Sequence, residues 1–372
     1  MIARPEFTGV KALTDHAMNE HEDSGRQRPT IRDIAQRAGV SKSLVSLVMR
    51  GEPRVREEKR FRVLAAAEEL GYPTSAATRA MSSTTSTNVG ILITDLHNPI
   101  LVDIVGRVEE VLHESGLGTV LTGATVPSSG PTSHRIVSKA IGALRALHVD
   151  AILVVGSVPD AETMIDSAGN TPMVVAAGQS EGMRADNIRN DDELGMRLLI
   201  DYLVAHGHRS IAHVGGQGGG VAHARASGYR AAMQHHGLAD EILIADSDFS
   251  EDAGYRATAQ LLRRGHSLTA ITALSDLAGV GALSAITDAG LGVPQDVAVT
   301  GYDDTFIAAM RQISLTSVNP DVAGIGALAA RSIVERIGDP NKEPEEHLLA
   351  PRLTIRFSAG SSAASSSVSE GR

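Results

Sequence analysis

The sequence contains no cysteine and no tryptophan, and aromatic residues make up only 3% of the chain. Without cysteine, disulfide bonds, thiolate metal sites and thiol catalysis are excluded. No run of about 18 apolar residues occurs, so a transmembrane helix is not predicted. Residues 1–29 contain several acidic residues and no apolar segment of the kind found in signal peptides, which favours a cytoplasmic location.

Apolar residues make up 42% and charged residues 21% of the 372 residues, a composition typical of a folded globular protein. At about 150 residues per domain, the length predicts two or three domains. The formal net charge is −10, yet residues 30–80 carry +4 and residues 81–372 carry −13. A basic module on an acidic body suits a phosphate-binding head on a soluble sensor, although an exposed helical surface would give the same pattern.

Residues 30–73 show the pattern of three short helices. Thr30 is a good N-cap for the first helix, since an acidic residue follows three positions later. Gly39 can adopt the left-handed backbone that ends this helix, and Ser41 can cap a second helix over residues 42–49. Helix, glycine turn, helix is the arrangement of the helix-turn-helix, whose second helix enters the major groove of DNA. An ordinary helical hairpin would show the same short pattern.

The outward face of the second helix carries the side chains that could read a base sequence: Lys42, Ser43, Ser46, Leu47 and Arg50. A lysine ammonium group can donate to guanine O6 and N7, and a serine hydroxyl can bond to several base edges. This face therefore predicts direct contact with DNA if the segment is a helix-turn-helix.

The segment TIRDIAQRAGVSKSLVSLVMRGEPRVREEKRFRVLAAAEELGYPTSAATRAM, residues 30–81, resembles the headpiece of the lactose/galactose repressor family, and the likeness extends over residues 30–357. The resemblance implies that Lys42 and Ser43 read bases, and that hydroxyls at 41 and 46 meet phosphates. Leu47 stands where an arginine commonly reads a base, and it can contact only a thymine methyl or another apolar surface. The full set of predicted DNA contacts is Thr30, Ser41, Lys42, Ser43, Ser46, Leu47, Arg50, Arg56, Lys59, Arg79 and Met81.

Two positions carry more positive charge than the family pattern. Arg56 replaces a small hydroxyl residue and Lys59 replaces a threonine, so we expect stronger and more salt-dependent phosphate contact. Residues 74–87 resemble the family's hinge, which folds only on DNA. There Met81 occupies the position of a leucine that wedges into the minor groove, a role that methionine can also fill. Core packing is the alternative role for Met81.

From residue 88 onwards, apolar strands alternate with helical stretches, which is typical of doubly wound parallel sheets. The segment is long for one such core, so two similar lobes are predicted. The predicted fold is therefore α/β, with an all-α headpiece and a two-lobed body that the resemblance makes similar to periplasmic binding proteins. The predicted strands cover residues 88–94, 119–123, 151–155, 173–177, 210–214, 270–274 and 297–301.

The predicted domain organisation has five parts. They are an N-terminal extension expected to be disordered (1–29), the helix-turn-helix domain (30–73), the hinge (74–87), the effector-binding and dimerisation domain (88–357) and a Ser/Ala/Gly-rich tail expected to be disordered (358–372).

Ligands of doubly wound sheets bind beyond the carboxyl ends of the strands. The polar and aromatic candidates near those ends are Asp95, Asn98, Arg225, Phe249, Ser275, Asp276 and Asp303. Carboxylates and one guanidinium group suit a small polar ligand, because they accept from hydroxyls and donate in a planar fork. Salt bridges, turns and helix caps use the same residue types, so both interpretations stay open.

The family resemblance assigns roles to several of these positions. It places Arg225 of RASGY at the arginine that holds the effector, Phe249 of DFSEDAG at the aromatic that stacks on it, and Asp303 of GYDD at the carboxylate that binds it. Ser275 stands where an asparagine is usual, and residues 100–101 are Ile-Leu where many relatives carry two sugar-stacking phenylalanines. The implied effector is a sugar or a related small polar metabolite.

Other signals do not indicate chemistry. The glycines of residues 215–220 do not follow the G-x-G-x-x-G spacing, and the histidines do not repeat a zinc-site spacing. No G-x-S-x-G motif is present, so neither an enzyme nor a cofactor or metal site is predicted. A ligand-binding protein of the periplasmic type would need an export signal and would lack the basic head.

The sequence thus predicts a cytoplasmic transcriptional regulator, most simply a repressor. It would bind a near-palindromic DNA operator as a homodimer, because twofold symmetry in the protein requires twofold symmetry in the site. A small effector between the two lobes would control its affinity for DNA.

Overall fold

The computed structural model describes residues 30–49, 55–70, 87–123, 131–157, 161–179, 183–217 and 219–360. The chain divides into two compact units, residues 1–84 and 85–372. Of the predicted DNA contacts, Arg50, Arg79 and Met81 lie outside the described residues, as does nearly all of the predicted hinge.

The N-terminal unit contains three helices, α1 (Ile31–Ala38), α2 (Lys42–Met49) and α3 (Glu57–Glu69). The predicted cap of α1 is confirmed, since the Thr30 hydroxyl and backbone N–H both donate to the Asp33 carboxylate at 2.7 Å. Gly39 follows α1 with φ of +65°, in the left-handed region that glycine adopts without steric cost. Ser41 Oγ accepts from the Leu44 N–H at the start of α2. These local signals set the turn between the two helices.

A small apolar core holds the three helices together. Ile34 of α1, Val45 and Val48 of α2, and Val63 and Ala67 of α3 are all buried. The inward face predicted for α2 is confirmed by Val45 and Val48, which leaves the opposite face of this helix toward solvent.

The second unit contains two six-stranded sheets whose strand orders are β11-β5-β4-β3-β1-β2 and β12-β10-β9-β8-β6-β7. All pairs are parallel except β10 with β12. The strands are β1 (Asn88–Ile93), β2 (Gly118–Gly123), β3 (Ala151–Val155), β4 (Met173–Ala176), β5 (Asp186–Asn190), β6 (Ile211–Gly216), β7 (Leu243–Ser247), β8 (Ala270–Ala273), β9 (Ala298–Tyr302), β10 (Thr316–Asn319), β11 (Glu346–Leu349) and β12 (Arg352–Thr354).

Helices cover both faces of each sheet, and an apolar cluster lies under each face. They are α4 (Pro99–Glu114), α5 (Pro131–Ala146), α6 (Ala161–Ala168), α7 (Asp192–Ala205), α8 (Gly220–His235), α9 (Glu251–Arg263), α10 (Asp276–Asp288), the single turn α11 (Phe306–Ala309) and α12 (Val322–Gly338). Among the described residues, none of these helices is both long and apolar enough to cross a membrane. The predicted doubly wound architecture with two lobes is confirmed.

Each sheet forms one lobe. The N-lobe comprises residues 88–190 and 322–349, and the C-lobe comprises residues 192–319 and 352–360. The chain therefore crosses between the lobes three times, near residues 191, 320 and 350. All seven predicted strands are present, but β5, β7, β10, β11 and β12 were not predicted from the sequence. Three of these, β5, β10 and β11, lead directly into crossovers.

The predicted boundary between body and tail lies too early. Residues Phe357–Ala359 form a 3₁₀ turn, and Ser358 is buried. Its hydroxyl donates to the Val299 carbonyl at 2.6 Å and accepts from the Thr316 N–H at 2.9 Å. Because these bonds satisfy backbone groups of the C-lobe sheet, residues 358–360 belong to the body.

Helices α9 and α10 pack closely enough to require glycine at Gly254, where a Cβ would collide with the backbone of Ala278. We expect Gly254→Ala to lower the free energy of unfolding by about 1–3 kcal/mol, since rigid backbone cannot move aside cheaply. Gly142 in α5 is the control, because nothing lies within 4 Å of a Cβ built there. Gly142→Ala should raise the free energy of unfolding by about 0.5–1 kcal/mol. Urea denaturation measures both, and equal effects would contradict the packing described.

Candidate functional site

The exposed face of α2 carries the predicted base-reading side chains. Lys42 and Ser43 are exposed, while Ser46 and Leu47 are half-buried. Leu47 also packs against the apolar core of the headpiece. The face therefore offers one ammonium group, hydroxyls and a partly accessible leucine to a partner.

The remaining described candidates for DNA contact in the headpiece lie before and after α2 in the chain. Ser41, Arg56 and Lys59 are exposed, and no acidic side chain is paired with Arg56 or Lys59 among the described residues. The Thr30 hydroxyl is exposed but donates to Asp33, and that bond lowers the pKa of Asp33. Thr30 thus has a clear structural role as a helix cap.

A cavity of about 520 Å³ lies between the two lobes of the body. Five of the seven predicted ligand contacts line it: Asp95, Asn98, Arg225, Phe249 and Asp303. Its walls also include the aliphatic side chains of Ile100, Leu101, Val221, Leu277, Pro320 and Ile325. The prediction that these polar residues meet beyond the carboxyl ends of the strands is confirmed by their placement.

The inner end of the cavity is built around one buried guanidinium group. Arg225 Nε donates to Asp192 at 2.9 Å, and Nη1 lies 3.1 Å from Asp303 and also donates to the Leu274 carbonyl. The Tyr302 ring packs against the guanidinium with its centre 3.6 Å from Cζ, within cation–π range. We call Arg225, Asp192, Asp303 and Tyr302 the arginine cluster.

Charge pairing makes this burial tolerable. Burial alone would lower the pKa of Arg225, but the carboxylates of Asp303 and Asp192 outweigh it and raise that pKa above its ordinary value. Burial also raises the pKa of Asp303 to about 6, against the opposing effect of Arg225. The cluster therefore places the guanidinium group between two carboxyl groups, as the salt-bridge interpretation of Arg225 and Asp303 expected.

The same residues keep unused hydrogen-bonding capacity toward the cavity. No described residue bonds to Nη2 of Arg225 or to Oδ2 of Asp303. Asp303 has a φ of +104°, a conformation that a residue with a side chain rarely adopts. A donor and an acceptor that face one cavity can bind a hydroxyl group from both sides, so the salt bridge does not exclude a ligand-binding role.

The N-lobe side of the cavity carries two predicted residues with local structural roles. Asn98 caps α4 by accepting from the Ile100 N–H, and Asp95 accepts from the His97 N–H at 3.0 Å. Both residues line the cavity nevertheless. Phe249, on the C-lobe side, lies 6.0 Å from the Arg225 guanidinium and presents its ring as an apolar wall.

Two predicted ligand contacts do not line the cavity. Ser275 caps α10 by accepting from the Ala278 N–H, and its hydroxyl donates to the Phe249 carbonyl. Asp276 accepts from the N–H and hydroxyl of Thr305 at 2.7 and 2.8 Å and from the Ser317 hydroxyl at 2.5 Å. Both side chains therefore hold the loops that carry Phe249 and Asp303, and the structure gives each of them a structural role away from the cavity wall.

Several residues of the site were not predicted from the sequence. Asn190 and Asp192 lie at the first crossover, and Arg189, Asp248 and Glu251 line the cavity. Tyr302 was not singled out, although it directly precedes Asp303. The usable signal was the polar run after β5, but β5 itself was not predicted. The described residues contain no group of three or more metal-ligating side chains suited to hold an ion.

Burial raises the pKa of Asp276 to about 7, with a smaller contribution from the neighbouring Asp303. In the unfolded chain an aspartate titrates near a pKa of about 3.9, so ionisation of Asp276 disfavours the folded state and stability falls as pH rises from about 4 to about 7. Asp276→Asn removes this titration. We expect the free energy of unfolding of the unmodified protein, relative to Asp276→Asn, to be higher at pH 5 than at pH 7.5. Urea denaturation at both pH values tests this, and an unchanged difference would contradict it.

Comparison with known proteins agrees with this geometry. Residues 30–75 match the family described as "Bacterial regulatory proteins, lacI family", and residues 200–359 match "Periplasmic binding protein-like domain". The HTH-type transcriptional regulator CelR of Thermobifida fusca is 33% identical over 90% of this chain and 99% of its own length. The transcriptional repressor PurR of Erwinia tasmaniensis is 32% identical over 88% of this chain and 96% of its own length.

Solved structures give the same result. The Lac repressor dimer bound to operator and the anti-inducer ONPF superposes with a TM-score of 0.69 at 25% identity, over 89% of this chain and 99% of that one. A complex of CelR with cellobiose superposes with a TM-score of 0.63 at 30% identity, over 89% of this chain and 100% of that one. This chain belongs to the LacI family of bacterial regulators: it is a DNA-binding transcriptional regulator with a small-molecule effector, not an enzyme.

Proposed function

We propose that this protein represses transcription from a near-palindromic operator as a cytoplasmic homodimer, and that a small hydroxylated metabolite in the cavity changes its affinity for DNA. The observation that carries the proposal is the arginine cluster, because it leaves Nη2 of Arg225 and Oδ2 of Asp303 without a protein partner among the described residues. Salt bridges that only stabilised the fold would not need a cavity beside them, so the cavity supports ligand binding by these residues.

On the DNA side, Lys42 and Ser43 are the base-reading residues of the proposal. A lysine selects guanine, a serine tolerates several bases, and Leu47 adds contact with a thymine methyl. Arg56 and Lys59 neutralise phosphates, and each neutralised phosphate steepens the salt dependence of binding by roughly 0.9. Arg79 and Met81 complete the proposal at the hinge, where Met81 is the minor-groove wedge.

On the effector side, the wall chemistry supports a neutral polar ligand of sugar-like character. Arg225 and Asp303 supply one donor and one acceptor, and Phe249 supplies an apolar face for a ring. Ile100 and Leu101 make the N-lobe wall aliphatic, so a ligand would stack on one aromatic side chain rather than between several. CelR with bound cellobiose shows that a structural relative holds a sugar.

The near-palindromic operator of the proposal has two half-sites related by twofold symmetry. A protein dimer matches it, because each protomer places one recognition helix in one half-site. Ligand binding would change the relative orientation of the lobes and thereby the spacing of the two headpieces. A coupling free energy of about 1–3 kcal/mol is enough, and DNA must change effector affinity by the same factor.

A thermal-shift screen followed by a mobility-shift assay tests the proposal. The full chain is screened against cellobiose, ribose, polyols, nucleosides and purines, because specific ligands raise stability by mass action. Each compound that raises the melting temperature is then added to the complex of the chain with a DNA duplex enriched by that chain. We expect at least one compound to change DNA affinity by about 5- to 150-fold.

Arg225→Ala should abolish both the thermal shift and the change of DNA affinity that the compound causes. Arg230→Ala, at an exposed position of the same helix, is the matched control and should respond normally. Because removing Arg225 leaves two buried carboxylates unpaired, a cost of about 3–5 kcal/mol, Asp303→Asn serves as a second variant. A normal response in both Arg225→Ala and Asp303→Asn would overturn the proposed binding site.

A further inference from the structure

Asn190 lies where the N-lobe ends and the first crossover begins. It is the last residue of β5 and is 6% exposed. Its side-chain Nδ2 donates to the Tyr302 hydroxyl at 2.7 Å and to Asp192 Oδ1 at 3.1 Å. Both acceptors belong to the C-lobe, so one amide group of the N-lobe is bonded to two side chains across the crossover.

Both acceptors are members of the arginine cluster. Asp192 Oδ1 is the same oxygen that accepts from Arg225 Nε at 2.9 Å. Tyr302 packs its ring on the guanidinium and directly precedes Asp303 in the chain. Any shift of Arg225 or Asp303 on ligand binding therefore acts on the two groups that Asn190 holds.

The Tyr302 hydroxyl has little freedom to absorb such a shift. The residue is fully buried, and a Cβ on Gly195 of α7 would collide with its hydroxyl. Burial raises the pKa of Tyr302 well above its ordinary value, so the phenol stays neutral and remains a hydrogen-bonding group. A buried ring packed on both sides moves as a unit with its surroundings.

The second crossover offers a contrast. Asn319 is the last residue of β10, and its Nδ2 donates to Asp304 Oδ2 at 2.9 Å. Its Oδ1 accepts at 2.8 Å from the N–H of Asp321, the N-cap of the N-lobe helix α12. Both crossover asparagines therefore bond to the chain beyond their own strand, but among the residues that the structure describes only Asn190 bonds to members of the arginine cluster.

We propose that Asn190 is a positioning residue that couples the arginine cluster to the relative orientation of the two lobes. The inference rests on the proposed function only in treating the cluster as the ligand site. The Asn190 amide bonds to Asp192 and Tyr302, and both of these side chains contact Arg225. When Asp192 and Tyr302 move, their bonds to the Asn190 amide move the end of β5 in the N-lobe. Without the amide, the orientation of the N-lobe no longer depends on the position of the arginine cluster.

Spin-label distance measurement tests this without any effector or DNA. Because the chain has no cysteine, Lys139→Cys in the N-lobe and Asp240→Cys in the C-lobe, both at exposed positions, give two unique nitroxide sites. Labelled chain is diluted with an excess of unlabelled chain, so that only distances within one protomer are measured. Failure of the ligand screen would leave this measurement valid, which keeps the two proposals separable.

We expect Asn190→Ala to shift or broaden the distance distribution. Asn187→Ala is the control and should leave the distribution unchanged, because Asn187 lies on the same strand and no described residue of the C-lobe bonds to its side chain. Arg225→Ala should also shift the distribution, but should add no further shift in the Asn190→Ala background, since the connection is already lost. Two substitutions that disturbed the lobes by independent routes would instead give additive shifts. If Asn190→Ala does not fold, Asn190→Ser takes its place. A distribution identical to that of the unmodified protein in the folded Asn190 variant, or additive shifts in the double variant, would overturn the proposal.

Discussion

A guanidinium group buried beside a cavity must be neutralised where it lies, and this requirement organises the body of the protein. Arg225 is 4% exposed and pairs with Asp192 and Asp303, which come from different parts of the C-lobe. An unpaired ion in such a place would cost several kcal/mol. The positions of α7, α8 and the end of β9 are therefore fixed relative to one another, and the same pairing aims the remaining donor and acceptor at the cavity.

The sequence predicts the elements whose signals are local. Residue type and spacing predict the cap at Thr30, the turn at Gly39 and the inward valines of α2. The strands that were predicted from the sequence are mostly apolar runs. Strand β5 has the sequence Asp-Asn-Ile-Arg-Asn and was missed. Its burial depends on distant partners, because the Asp186 carboxylate is paired with Arg336 of α12. Pairing across 150 positions leaves no periodic pattern to read.

In the candidate site, too, local sequence predicts some features, while others depend on contacts between distant segments. Position after a strand correctly placed Asp95 and Asp303 at the cavity, because parallel strands bring their carboxyl ends to one edge. It could not say where a side chain points, and Asp276 turns instead to Thr305 and Ser317. The contacts that support the site, those of Asn190 and Tyr302, depend on how two lobes meet, which no single segment of the chain encodes.

The central claim is that the basic headpiece binds a specific DNA sequence. Selection of duplexes from a random-sequence pool by the full chain, repeated with Lys42→Ala, tests it most directly. The account predicts enrichment of a near-palindromic sequence by the unmodified chain and a changed or relaxed preference at two symmetric positions with Lys42→Ala. Recovery of no common sequence, or of the same sequence with the same selectivity from both proteins, would contradict it.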